Sequence, residues 1–214
     1  MFKPGPGRRP YSRHMTTSTD KTADLLRAVL ADLARVVGSI TPGQLHDPTP
    51  CSEFDVGQLR DHVLGWLTTF AAGFADPGGR APQVSTDGYR ASADTAAEVR
   101  AAAGLLDRAV HGGAAERPLW LGDSAMPGDL ALSMILWEYL VHGWDLARAT
   151  GQRWSPPTEA AEESLVFAPA MLTDDYQGEG KAFGKPVSVP GDAPPLDRLL
   201  GLSGRDPGWR APRS

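Results

Sequence analysis

The stretch "ILWEYLVHGWDLARATG", residues 135–151, decides how this chain folds. At helical spacing, Ile135, Leu136, Leu140 and Leu146, with Leu132 just before them, spread over different faces. The segment from about Asp129 to Thr150 is thus apolar nearly all the way round, the pattern of a helix in the middle of a bundle. Gly151 stands where a helix of this length needs its C′ residue. Three polar groups interrupt the pattern: Glu138, His142 and Asp145. With Glu138 set at 0°, His142 falls at about 40° and Asp145 at about −20°, so all three share an arc of roughly 60°.

Outward from this segment the periodicity stays helical. "DKTADLLRAVLADLARVVG" places Leu25, Leu26, Val29, Leu33, Val36 and Val37 on one side and predicts a helix from Asp20 to about Gly38. A turn-rich stretch, "TPGQLHDPTPCSEF", follows, and its prolines keep either neighbouring helix from running through. A second helix is expected from Asp55, as N-cap, to about Asp76, with Val56, Leu59, Val63, Trp66, Leu67, Phe70 and Phe74 on one broad apolar face. His62 lies near the margin of that face, beside Trp66. Residues 77–91 are polar and contain Gly and Pro, and their length suits a crossover rather than a hairpin. A third, alanine-rich helix is expected over 92–111, then an extended piece at "PLWL". A shorter helix begins at Thr158, with Pro169 set to kink it or end it early.

These segments define an all-α four-helix bundle with a long crossover and a short C-terminal helical extension. Residues 1–15, basic and rich in Pro and Gly, read as a disordered leader without the apolar core of a secretory signal, and Met15 looks like a more natural start. Residues 16–176 form the bundle, and 177–214 a tail, packed on it or partly irregular, with one hydrophobic turn at "PLDRLLGL". The net charge of −5 argues against a nucleic-acid surface. No apolar run reaches the roughly 18 residues of a membrane span. A single cysteine, Cys51, forms no internal disulfide, which fits a cytoplasmic home. No heptad seam separates monomer from homodimer.

The polar arc is the candidate site. A carboxylate and an imidazole four residues apart can hold one divalent cation between successive turns. The same spacing also occurs as a solvent-facing pair worth a few tenths of a kcal/mol, but this helix has little polar face to turn outward. A buried Glu138 needs a cation or a proton. A third ligand has to come from another helix. Of the remaining histidines, His14 lies in the leader, His46 in a proline-rich turn and His111 at a helix end; only His62 sits mid-helix beside an inward face. Asp145 either orients a ligating histidine or pairs with an arginine, Arg148 being near in sequence. Trp66, Trp137 and Trp144 either wall a pocket or fill the core. Cys51 is either a small packing residue or a nucleophile near a helix start.

"TPCSEFDVGQLRDHV" (49–63), "WEYLVHGWDLARATGQ" (137–152) and "PLDRLLGLSGRDPGW" (195–209) resemble the actinobacterial metal-binding proteins related to mycothiol-dependent maleylpyruvate isomerase, within the DinB-like superfamily. The resemblance spans roughly residues 20–210, and Glu-x3-His-x2-Asp-Leu is its most specific element. It implies a DinB-like bundle holding divalent metal, zinc, through His62, Glu138 and His142. It also implies a low-molecular-weight thiol such as mycothiol and a small electrophile as partners, in transfer or isomerisation through a metal-activated thiolate or water. Only about forty residues follow the fifth helix, where the isomerase has a further domain with a catalytic arginine. Nothing in the spacing of Arg198, Arg205 and Arg210 selects a counterpart. A metal-stabilised binding or stress-response module without turnover needs the same three ligands and stays the alternative.

Overall fold

The computed structural model describes residues 12–83, 88–172, 177–178 and 184–212. Residues 1–11 of the leader expected from composition lie outside these. Helix α1, Ser12–Gly38, starts earlier than the periodicity indicated, since no Gly or Pro interrupts the chain between Pro10 and Gly38. Helix α2, Val56–Ala75, opens with a capping box: Asp55 accepts from the Gln58 amide, and the Gln58 side chain accepts from the Asp55 amide. Helix α3, Thr95–His111, is capped by Asp94, which accepts from the Ala97 amide.

Helix α4, Gly128–Ala149, is the central one, and most of its residues are buried. It ends as expected at Gly151, whose φ of +68° is the left-handed conformation glycine adopts without strain. The Gln152 amide reaches the Ala147 carbonyl at 2.8 Å and the Gly151 amide that of Arg148 at 3.4 Å, which together make a Schellman cap. Helix α5, Thr158–Met171, carries Pro169 in its last turn and stops two residues later. Helix α6, Pro195–Leu202, buries Leu199 and Leu200 completely.

The packing fixes the direction of each helix. Thr95 Oγ1 donates to the Val37 carbonyl and Gln152 Nε2 to that of Val36. The start of α3 and the end of α4 therefore lie together at the end of α1. His62 meets His142 while Phe70 shares a cavity wall with Met134, so α2 runs antiparallel to α4. Helices α1 and α4 are thus parallel to each other and antiparallel to α2 and α3. Parallel α2 and α3 need a connection that returns the length of the bundle, and residues 76–94 supply it. Around the bundle the principal packing is α1 on α3 and α4, and α2 on α3 and α4; α5 covers α4 and α1, and α6 lies on α5.

The extended piece foreseen at "PLWL" is half of a hairpin. Strand β1, Leu119–Leu121, pairs antiparallel with β2, Ser124–Met126, in the register Leu119↔Met126. Gly122, at φ +62°, takes the first of the two turn positions, the place where a type II′ turn requires glycine. The crossover touches this hairpin: the Ala81 amide donates to the Trp120 carbonyl, and Arg80 lies over the Trp120 ring.

Candidate metal centre

The polar arc of α4 faces α2 and one lined cavity, toward the end of the bundle where α4 finishes. His142 Nε2 is 3.3 Å from Glu138 Oε2, and its Nδ1 is 3.2 Å from Asp145 Oδ2. The His142 side chain is 14% exposed, that of Glu138 29% and that of Asp145 0%. The ring of His62, from the second turn of α2, stands edge-on to that of His142 with centroids 5.7 Å apart. Phe54 backs His62 at 4.9 Å. His62, Glu138 and His142 all line the same cavity of ≈ 310 Å³. His46 and His111 are exposed, as their sequence context implies.

Asp145 touches both His142 and an arginine, but not the arginine that sequence proximity indicated. Its carboxylate meets Arg205, whose Nε lies 3.4 and 3.3 Å from the two oxygens and whose terminal nitrogen is 3.2 Å from Oδ2. Arg148 instead donates to the carbonyls of Trp209 and Pro207. Arg205 is buried, and the cap of α6 delivers it. Gly204 at φ +80° is the C′ residue, and the Arg205 amide bonds the Leu200 carbonyl at 2.8 Å. Trp137 Nε1 donates to Ser203 Oγ at 2.9 Å, tying that cap to α4. Arg205, Asp145 and His142 form one chain of contacts leading from the tail to the cavity.

This chain sets the electrostatics. Burial opposes a charge on His142, but the contacts with Asp145 and Glu138 outweigh it and hold the imidazole pKa up to about 9. The Asp145 contact is made through Nδ1, which leaves Nε2 as the nitrogen on the Glu138 side of the ring. The donor chemistry is of a kind a divalent cation takes: two imidazoles and a carboxylate lining one cavity, one imidazole in contact with a buried carboxylate.

Cys51 belongs to this neighbourhood, although sequence spacing gave no reason to place it there. Its sulfur, a His142 nitrogen and an Asp145 oxygen all lie within 4.8 Å of one another. The thiol is buried, and desolvation pushes its pKa up to about 11. The cap of α2 is four residues further on, so the helix start that favoured a nucleophilic reading does not act on Cys51. Of the three tryptophans considered as pocket walls, only Trp66 lines the cavity. Trp137 and Trp144 are core residues, 1% and 8% exposed.

An up-down-down-up helical bundle with its polar cluster between α2 and α4 defines a DinB-like protein. Residues 26–147 match the family of the mycothiol maleylpyruvate isomerase N-terminal domain, and the chain belongs to that family. Two relatives from Mycobacterium tuberculosis, uncharacterized protein MT0763 (strain CDC 1551 / Oshkosh) and uncharacterized protein Rv0738 (strain ATCC 25618 / H37Rv), are each 34% identical over 175 residues. The match covers 80% of this chain and 91% of each relative. No solved structure matches. No helix among the described residues is long and apolar enough to cross a membrane.

Proposed function

We propose that this protein binds one divalent cation, zinc, through His62, Glu138 and His142 and uses it to activate a low-molecular-weight thiol such as mycothiol toward a small electrophile. The observation that carries this reading is that His142 touches Glu138, stands ring to ring with His62, and lines one cavity with both. Zinc held by three protein ligands keeps a position open and lowers the pKa of a thiol or water there. His62 and His142 supply neutral donors, so the set carries a single negative charge, that of Glu138. Asp145 and Arg205 fix the His142 ring, and the cavity walls hold the reacting molecules out of bulk water.

The rival donor set, Cys51 with His142 and Asp145, is less suited to a cation. Asp145 is already engaged by Arg205, and a dication on that carboxylate would lie beside the guanidinium. Family membership supports the thiol, because the matched domain is named for a mycothiol-dependent reaction.

Metal analysis of protein purified without chelator tests the site. One equivalent of zinc is expected, with near-complete loss in His142→Ala and His62→Ala and retention in Cys51→Ser. A His142→Ala protein that kept stoichiometric zinc would sink the assignment. Thiol consumption assayed with a panel of electrophiles tests the chemistry. A zinc-loaded protein that consumes no thiol would leave a metal-stabilised binding module in its place.

A further inference from the structure

The segment "DPTPCSEF", residues 47–54, leads into α2 and supplies Cys51, Glu53 and Phe54 to the cavity wall. Its shape is fixed locally. Pro48 and Pro50 lock φ on either side of Thr49, and a residue that precedes proline is held extended. The Phe54 amide donates to the Cys51 carbonyl at 3.0 Å, closing a turn, and the Val56 amide donates to the Asp47 carbonyl at 3.0 Å, closing the loop. Thr49 is buried within it. Its hydroxyl lies 2.8 Å from the Cys51 carbonyl oxygen and 2.9 Å from that of Phe54, so one proton serves both ends of the turn.

What this loop presents to α2 is the Phe54 ring, tilted 33° from the ring of His62 with centroids 4.9 Å apart. The same imidazole stands edge-on to His142. Glu138 and Asp145 touch the two nitrogens of His142 and restrain that ring. For His62, the flat face of Phe54 supplies a restraint of another kind. A packed ring limits rotation of the imidazole, and a side chain already held in its bound orientation loses less freedom when a ligand takes it.

We infer that residues 47–54 are a clasp for His62: Phe54 is its positioning residue, and the Thr49 hydroxyl holds Phe54 in place. The consequence for metal affinity rests on His62 being a ligand, as proposed above. Two quantities are read on the full-length protein. One is zinc affinity, by competition with a zinc-binding dye. The other is the proton resonance of the His62 ring in chelated protein at fixed pH, assigned by its loss in His62→Ala. Phe54→Leu should weaken zinc binding roughly three- to ten-fold, about the worth of one aromatic pair. Thr49→Val should weaken it in the same direction and shift the His62 resonance, although Thr49 is not among the proposed ligands. Thr49→Ser and Phe54→Tyr should keep the original values. In Thr49→Val/Phe54→Leu the affinity should match that of Phe54→Leu alone, because Thr49 acts through Phe54. A general loss of stability would not give that pattern. A His62 resonance unmoved in Thr49→Val, or additive losses in the double variant, would overturn the inference. So would undiminished zinc affinity in Phe54→Leu when His62→Ala has lost its zinc. Zinc kept in His62→Ala, with the resonance shifting as expected, would instead sink the metal assignment of His62 and leave the clasp standing.

Discussion

Arg205 and Asp145 depend on each other more than any other pair near the site. Asp145 is fully buried and Arg205 nearly so, so each charge is tolerable only because the other is present. Arg205→Gln should destabilise the protein by about 3 kcal/mol, because it leaves a buried carboxylate with His142 as its remaining charged partner. Urea unfolding measures the loss. The double variant Arg205→Gln/Asp145→Asn should lose less than the two single variants summed, which a double-mutant cycle reads directly. Additive losses would mean the pair is not coupled. Cys51 offers a second test at this scale. Its thiol, with pKa about 11, is almost wholly protonated at neutral pH. Iodoacetamide should therefore label chelated protein at pH 8 at least about 100-fold more slowly than free cysteine, burial adding to the lack of thiolate. The rate should climb about ten-fold per pH unit toward 10, because thiolate is the reacting form and rises with pH below the pKa. Fast labelling at pH 7 would show the thiol to be exposed or activated.

Among the elements, α4 does two jobs that compete for its surface. It is the middle helix of the bundle, and it carries three titratable groups on one arc. The compromise is visible at Gly143, directly beside His142. The Trp154 ring packs against Gly143 so closely that an added Cβ would overlap it. Gly143→Ala gains helix propensity of up to about 1 kcal/mol, yet forcing Trp154 aside should cost about 1–3 kcal/mol. Net destabilisation is expected, read as a fall in the urea midpoint. A more stable Gly143→Ala protein would mean that Trp154 moves freely. Helix positions were largely legible in the sequence because they rest on local signals: the 3.6 period, the Asp55 N-cap and Gly151. The early start of α1 was not legible, since the apolar stripe begins only near Asp20 while backbone helicity continues wherever no breaker stands.

Over the whole molecule, the tail completes the bundle rather than trailing from it. Helix α6 buries Leu199 and Leu200, Trp137 bonds Ser203, and Arg148 bonds the backbone of residues 207 and 209. Removing residues 191–214 should therefore have two separable effects. One is a loss of stability exceeding that of Arg205→Gln, because apolar burial goes as well. The other is a roughly 10–100-fold weaker zinc affinity, shared with Arg205→Gln, because in both proteins Asp145 loses the guanidinium that fixes its position beside His142. Competition with a zinc-binding dye measures the second effect. Equal affinity in truncated and full-length protein would show that the tail has no influence on the metal site.

The sequence by itself determined what lies within one helix of itself. The arc shared by Glu138, His142 and Asp145 follows from 100° per residue, and the inward position of His62 follows from the apolar face around it. Only the tertiary structure decided which tail arginine matters and where Cys51 sits. Asp145 and Arg205 are sixty positions apart, and no local period links them. The direction in which the Gly204 cap sends Arg205 depends on how α6 is held by Trp137 of α4. The crossover has the same origin. Its length was visible in the sequence, whereas the parallel course of α2 and α3 came from buried faces that pair only when all four helices pack at once.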